Sequence, residues 1–212
     1  MAKDKDPKDI SPDTCRRLLD AAEKLFCERG YEGTSVRDIT AEADCNIAAV
    51  NYHFGGKEKL YQEMFRRRLV RNLDGYFQII EKVCSGGDPT LETLLRELIR
   101  PILESAEQQD PWTRVVRLMV RESLHHRLDM EHILEDIKTL FVERLARAFM
   151  QMVPGMDERS AQRAVFSVDS LILHPIMFLE FYRYILPGLG VDEIAEQIVR
   201  FGAAGIRASV RQ

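Results

Sequence analysis

Apolar residues recur along this chain at every third or fourth position, the spacing of one face of an α-helix. The first such stripe runs from Leu18 to Phe26. Ser11 and Pro12 precede it as start signals, and Gly30 follows it as a stop signal. We find no alternating apolar and polar run and no Asn-Gly hairpin signal. The pattern predicts an all-α protein of about nine helices.

Two short helices are predicted after the first, followed by a long one. Thr34 can cap the helix "SVRDITAEA", the residues "DCN" interrupt the pattern, and Asn46 can cap "IAAVNYHF". Gly55 and Gly56 end that helix, and a longer one runs from Lys57 to about Cys84. We therefore predict a small helical domain over residues 11–56. A larger regulatory and dimerisation domain would occupy 57–212, with 57–84 as its connecting helix.

Two short helices joined by a three-residue turn are typical of a helix-turn-helix, whose second helix enters the major groove of DNA. Ile47, Val50 and Phe54 are expected to pack inward, which leaves the other side of the third helix for base edges. The small and polar side chains here suit that task. The predicted DNA-binding residues are Thr34, Ser35, Arg37, Asn46, Ala48, Ala49, Asn51, Tyr52, His53 and Lys57.

These residues divide by role. Asn51 suits an adenine edge, and Ala48 or Ala49 suits a thymine methyl group. Thr34, Ser35 and Arg37 are expected to contact phosphate groups at one end of this helical unit. At its other end we expect phosphate contacts from Tyr52, His53, Lys57 and the free N–H groups at the start of the helix that begins at Lys57. Tyr52 could instead be core, and Arg66, Arg67 and Arg68 are expected on a solvated face.

The charge distribution agrees with a DNA-binding segment near the front of the chain. The whole chain carries a net charge of -4, yet residues 46–72 hold six basic and two acidic residues. An acidic remainder therefore hides a local excess of +4.

The last two predicted helices are candidates for a dimer interface. The helix over 158–186 is apolar around much of its circumference and needs cover on several sides. Pro101 and Pro175 are expected to kink their helices. Together the last two helices could form half of a four-helix interface, although packing within one chain is the alternative. The predicted interface residues are Val165, Val168, Ile172, Ile176, Ile198, Gly202 and Ile206.

A ligand site is placed less directly by the pattern. We expect a ligand to enter between helices around Pro101, Trp112 and Phe178, and its binding to shift the long helix that begins at Lys57. Arg114, Arg117 and Arg121 could meet an anionic ligand, but a solvated face is the simpler interpretation. The predicted ligand-binding residues are Trp112, Met119, His125, Phe141, His174, Phe178 and Tyr182.

No cofactor is expected. Glu122, His125, His126, Asp129 and His132 lie close in sequence, but a break between them spoils the geometry of a metal site. The four cysteines form no Cys-x-x-Cys pair and are interpreted as reduced thiols. The segment "LILHPIMFLEF" is too short for a membrane span, and the first residues lack a signal core. We expect a cytoplasmic protein.

Residues 18–61, "LLDAAEKLFCERGYEGTSVRDITAEADCNIAAVNYHFGGKEKLY", resemble the DNA-binding domain of the tetracycline-repressor (TetR) family. Asp44 departs from the family by replacing a turn glycine, and Asn51 by replacing a commoner tyrosine. The resemblance implies a homodimeric transcriptional repressor that binds double-stranded DNA. Its larger C-terminal domain would bind a small-molecule effector, and this binding would lower the affinity of the repressor for DNA.

Two alternatives remain. One is an α-helical enzyme with histidines as acid and base groups, although no nucleophile motif or phosphate loop accompanies them. The other is an architectural or activator protein that binds DNA without ligand control.

Overall fold

A computed structural model describes residues 11–87, 89–125 and 131–210, apart from the side chains of residues 123–125 and 132. These residues form helices and connecting turns, without a strand among them, which confirms the predicted all-α class. The helices are α1 (Pro12–Arg29), α2 (Val36–Glu42), α3 (Ile47–Phe54), α4 (Lys57–Cys84), α5 (Leu91–Glu107), α6 (Pro111–His125), α7 (Glu131–Ile137), α8 (Glu143–Met152), α9 (Glu158–Ile185) and α10 (Val191–Ala208). A π-helical turn over Lys138–Val142 joins α7 to α8.

Most of the predicted start and stop signals in the first three helices are confirmed. The side chain of Ser11 accepts a hydrogen bond from the Thr14 amide, with Pro12 in the first turn of α1. The Asn46 side chain caps α3 by accepting from the Ala48 amide. Gly55 ends α3 with φ of 73°, a left-handed conformation that glycine adopts without steric cost.

The chain divides into two compact units, and the division differs from the predicted boundary at residues 56 and 57. The first unit extends to Leu69 and also includes Arg114–Ile133, while the second comprises Val70–Thr113 and Leu134–Gln212. The start of α4 belongs with the first unit because its apolar side chains are buried there. These are Leu60, Tyr61, Met64, Phe65 and Leu69.

In the second unit, α5 packs on α10, and α9 packs on α5, α8 and α10. Gly202 allows a close approach, because a Cβ atom built on it would lie 3.3 Å from Leu95 Cδ1 and 3.5 Å from Val168 Cγ2. Ion pairs between Arg96 and Glu196 and between Arg207 and Glu92 flank the contact between α5 and α10.

The predicted dimer interface is corrected by this packing. All seven predicted residues, Val165, Val168, Ile172, Ile176, Ile198, Gly202 and Ile206, are buried within the single chain. They form the core of the second unit, so these seven side chains are not themselves open to contact with another subunit. The error arises because α9 carries apolar residues on two faces, and periodicity does not say which face the chain itself covers.

The second face of α9 is exposed. Large apolar side chains on α9 and α10 are exposed to solvent, and we refer to this set as the exposed apolar surface. Its members are Phe166, Leu171, Phe178, Phe181, Tyr184, Ile185 and Phe201.

α9 is interrupted in its last third, as predicted from Pro175. Phe178 has non-helical angles, φ -127° and ψ 28°, three residues after the proline that removes a backbone donor. Pro101, which was also predicted to kink its helix, lies inside α5, which continues past it to Glu107.

α9 is also longer than the apolar segment that we judged too short to cross a bilayer. It is long and apolar enough for a membrane span by length and composition alone. Its mean hydropathy is 1.5 over 18 residues, of which 39% are buried. Core helices of soluble proteins pass the same test, so the finding is weak evidence for a span.

Candidate nucleic-acid interface

The turn between α2 and α3 is fixed by three features. Asp44 has φ of 49°, so it adopts the left-handed conformation expected at this position. The Cys45 amide donates to the Thr40 carbonyl at 2.9 Å. Nη1 of Arg17, on α1, donates to the carbonyls of Ala43 at 3.0 Å and Asp44 at 3.3 Å. Arg17 was not predicted, because no local pattern relates a residue on α1 to carbonyls 26 and 27 residues later.

α2 begins with a capping box formed by Ser35 and Asp38. The Asp38 amide donates to Ser35 Oγ at 3.1 Å, and the Ser35 amide donates to Asp38 Oδ2 at 2.9 Å. The Ser35 hydroxyl also donates to Asp38 Oδ2, at 2.6 Å. This side-chain bond first, and the bond from the Ser35 amide second, lower the pKa of the Asp38 carboxyl. Ser35 and Arg37 are exposed at this end of α2, as phosphate contacts require.

Thr34 is neither the cap nor a surface residue, so its predicted phosphate contact is wrong. Its side chain is only 1% exposed. The hydroxyl donates to the carbonyls of Leu25, at 3.1 Å, and Gly30, at 2.9 Å. Thr34 therefore satisfies carbonyl groups at the end of α1.

α3 presents an uncharged face to solvent. Val50 and Phe54 are buried, as predicted, but Ile47 is 45% exposed, contrary to its predicted inward packing. Ile47 is the first residue of the helix and extends past the core that covers Val50. The exposed residues of α3 and its cap are Asn46, Ile47, Ala48, Asn51 and Tyr52, and Ala49 is half-buried.

The two aromatic residues at the end of α3 differ in their surroundings. Tyr52 is 66% exposed, so its core interpretation is wrong and its hydroxyl is available to a partner. His53 is half-buried, and its Nε2 atom is buried without a hydrogen-bond partner among the described residues. Direct phosphate contact from that nitrogen is therefore blocked in this conformation.

The ammonium group of Lys57 lies 4.0 Å from the ring centroid of Tyr31, a cation–π contact that holds it at the start of α4. Burial is the main reason that the pKa of Lys57 is lowered. Tyr31 belongs to an aromatic cluster with Phe26, Tyr61 and Phe65. Burial, and secondly the negative charge of Glu122, raise the pKa of Tyr61. The cluster attaches α4 to the end of α1.

Two of the three consecutive arginines on α4 do not lie on a solvated face, contrary to prediction. Arg68 is hydrogen-bonded to both carboxylate oxygens of Glu23, and Arg67 lies 2.8 Å from Asp20. The side chains of Arg67, Arg68 and Glu23 are largely buried. Arg66 is exposed. Much of the local positive charge is thus neutralised by α1.

In the second unit, the predicted ligand-binding residues form two groups: Trp112 and Phe141 lie beside Tyr76, and His174, Phe178 and Tyr182 lie together on α9. Phe141 lines a narrow apolar cavity in the second unit. Nδ1 of His174 lies 3.0 Å from the Tyr182 hydroxyl, and the His174 ring lies beside Phe178, on the exposed side of α9. Met119 and His125 belong to the first unit, and the side chain of His125 lies outside the described residues.

Trp112, another predicted ligand-binding residue, and the residues considered for a metal site lie in different surroundings. Trp112 is half-buried, and its side chain is hydrogen-bonded to Tyr76, whose pKa burial raises to about 12. Of the residues considered for a metal site, Glu122 has a described side chain, and it is buried beside Tyr61. The side chains of His125, His126, Asp129 and His132 lie outside the described residues.

A capped α2, a turn fixed by Arg17 and an exposed α3 define a helix-turn-helix protein. Family models agree. Residues 18–64 match the bacterial regulatory proteins of the tetR family, and residues 96–205 match the tetracyclin repressor-like C-terminal domain. The second match alone covers more than half of the chain. The chain belongs to the TetR family, which confirms the resemblance seen in the sequence.

Several relatives have names that describe transcriptional repressors. The chain is 27% identical over 198 residues to KstR2 of Rhodococcus jostii, covering 89% of each chain. It is 31% identical over 109 residues to AcnR of Corynebacterium efficiens, covering 51% of this chain and 50% of AcnR. The match therefore spans only about half the length of AcnR.

Solved structures share the fold. FadR of Bacillus subtilis, determined in complex with stearoyl-CoA, has a TM-score of 0.67 at 17% identity, covering 90% of this chain and 98% of FadR. PfmR of Thermus thermophilus has a TM-score of 0.58 at 24% identity, covering 89% and 98%.

Proposed function

We propose that this protein is a ligand-responsive transcriptional regulator, most simply a repressor, that binds a palindromic operator as a homodimer in the cytoplasm. The observation that carries the proposal is the uncharged, exposed face of α3 on a turn held by Arg17. Such a face suits the major groove, where base edges offer hydrogen-bonding groups and the thymine methyl. Family membership supports regulation of transcription over catalysis.

Phosphate contacts would be made on both sides of α3. Ser35 and Arg37 lie at the start of α2, and Tyr52 lies at the end of α3. Lys57 remains a candidate, with its ammonium group held above Tyr31. These groups set position and orientation, because phosphate contacts carry no sequence information themselves.

Selection of bound sequences from random DNA tests the proposal. A single palindromic sequence should emerge, and Arg37→Ala and Tyr52→Ala should weaken its binding. Arg37→Ala should also lower the slope of log affinity against log salt concentration by about 2, since the dimer loses one phosphate contact in each half-site. Lys82→Ala is the matched control, because Lys82 is exposed on α4 in the second unit.

The outcomes distinguish this function from its alternatives. Failure of any sequence to emerge would reject operator binding by the chain. Equal binding by Arg37→Ala, Tyr52→Ala and Lys82→Ala would reject the assignment of the interface. Specific binding that no small molecule alters would favour an architectural or activator role without ligand control.

The exposed apolar surface on α9 and α10 supports homodimerisation. A large exposed apolar patch usually marks an interaction site, and seven large apolar side chains are exposed on these two helices. Tyr184 is 81% exposed and Phe201 is 65% exposed. We place the dimer interface on this surface, and the seven buried residues support it from behind as core.

An effector site is supported by the narrow cavity in the second unit. Its lining is apolar except for Tyr76 and Asp169: Tyr76, Leu95, Leu98, Ile99, Ile102, Phe141, Leu145, Val165, Val168, Asp169 and Ile172. The cavity measures about 20 Å³, which accommodates one water molecule. An effector must therefore separate the surrounding helices, and such a displacement is a means of altering DNA affinity.

The lining favours a largely apolar effector. Nine of the eleven lining residues carry hydrocarbon side chains, and Asp169 is a solvent-exposed residue. Repeating the operator-binding measurement with a panel of apolar acids, amines and neutral compounds would identify the class. An effector should weaken operator binding and raise the melting temperature of the protein.

A further inference from the structure

The chemistry of the exposed face of α3 restricts which base pairs it can read. The helix "IAAVNYHF" contains neither arginine nor lysine, the side chains that most often bind guanine in the major groove. Its exposed side chains offer a carboxamide at Asn51, a hydroxyl at Tyr52 and apolar groups at Ile47 and Ala48. This combination suits A·T pairs.

Ile47 and Asn51 are four residues apart and therefore lie on the same side of the helix, with Ala48 next to them. The carboxamide of Asn51 can pair with the N6 and N7 atoms of adenine. Asn46 is less suited to this role, because its Oδ1 atom already accepts from the Ala48 amide at 3.0 Å. The exposed face thus places a large apolar side chain beside one adenine-reading group.

Neither packing in the core nor helix propensity explains why an isoleucine stands at position 47. It is 45% exposed at the first position of α3, whereas Val50 and Phe54 form the core contacts. β-branched residues also have modest helix propensity. In the major groove the thymine C5-methyl is the one apolar group on the base edges, so it is the natural partner for this side chain.

We propose that Ile47 is a specificity-determining residue that contacts a thymine C5-methyl group in each operator half-site, next to the A·T pair read by Asn51. This inference rests on the proposed operator binding. It predicts that the base pairs beneath α3 are A·T rather than G·C. It also predicts that removing a single methyl group from the DNA weakens binding.

The experiment uses the operator selected from random DNA, with each thymine replaced in turn by deoxyuridine. Deoxyuridine lacks only the C5-methyl group. At one symmetry-related position the loss should be about fourfold per half-site, or about fifteenfold when both are replaced. Fourfold corresponds to about 0.8 kcal/mol for one buried methyl group. Ile47→Ala should bind thymine and deoxyuridine operators nearly equally, and Ile47→Val should retain most of the preference.

The remaining outcomes decide against the inference separately from the proposed function. Specific operator binding without any deoxyuridine-sensitive position overturns the role of Ile47 while operator binding stands. Sensitivity that persists in Ile47→Ala but disappears in Ala48→Gly assigns the methyl contact to Ala48 and also overturns it. Because Ile47 is exposed, a circular dichroism melt of Ile47→Ala should match that of the unmodified protein.

Discussion

At the scale of single residues, a largely buried ion pair links α1 to α4. Glu23 is 8% exposed and accepts hydrogen bonds from Arg68. Removing one member of such a pair leaves an uncompensated charge away from water. We expect Glu23→Ala to lower the free energy of unfolding by about 2–3 kcal/mol, measured by urea denaturation.

Glu42→Ala provides the control in the same unit. Lys24 Nζ lies 2.7 Å from Glu42 Oε1, but both side chains are exposed. Exposed ion pairs contribute about 0–1 kcal/mol, so Glu42→Ala should have little effect. Equal losses in the two variants would contradict the distinction drawn from burial.

Residues whose roles are local were predictable from sequence. Asp44 in a left-handed turn and Asn46 as a cap follow from the chemistry of their own side chains. Thr34, Ile47 and Arg68 were misassigned because their environments depend on α1 or on where the core ends. A capping hydroxyl and a buried one look alike in sequence, since both precede the same helical pattern.

At the scale of helices, Gly202 and Gly75 have opposite surroundings. A Cβ atom on Gly202 would meet Leu95 and Val168, whereas one on Gly75, in α4, would meet nothing within 4 Å. Gly202→Val should therefore destabilise the protein by about 1–3 kcal/mol through overpacking. Gly75→Ala should stabilise it by up to about 1 kcal/mol through helix propensity.

Thermal and urea unfolding of both variants measure this difference. Gly75→Ala is the matched control, because it introduces a side chain into a helix without introducing a contact. A stabilising Gly202→Val would mean that α5 and α10 are less closely packed than the structure indicates. A destabilising Gly75→Ala would mean that the exposed side of α4 is covered in solution.

The periodicity of apolar residues predicted where the helices lie, but it did not predict which helices pack against one another. The lengths of α3, α4 and α10 agree with their apolar spacing and end signals. The division of α4 between two units could not be predicted, because its apolar stripe continues past Leu69 without a break. Gly202, predicted at a dimer interface, is a close-approach site whose partners, Leu95 and Val168, belong to the same chain.

At the scale of the whole molecule, the exposed apolar surface is the basis of the proposed dimer. Phe166 is 58% exposed and Phe181 is 59% exposed, both on α9. Burial of such side chains against a second copy would remove apolar area from water. A twofold interface would present the same surface from both copies. It would also provide the two α3 helices that a palindromic operator requires.

The double substitution Phe166→Asp with Phe181→Asp should therefore prevent dimerisation, because the dimer would have to bury carboxylates. Light scattering or sedimentation at micromolar concentration should give the mass of one chain, 24.5 kDa. Leu134→Asp is the control, since Leu134 is exposed on α7 and outside this surface. It should leave the dimer intact. Because independent half-site binding is weaker than joint binding, operator affinity should fall only in the double variant. A dimeric mass for that variant would place the interface elsewhere.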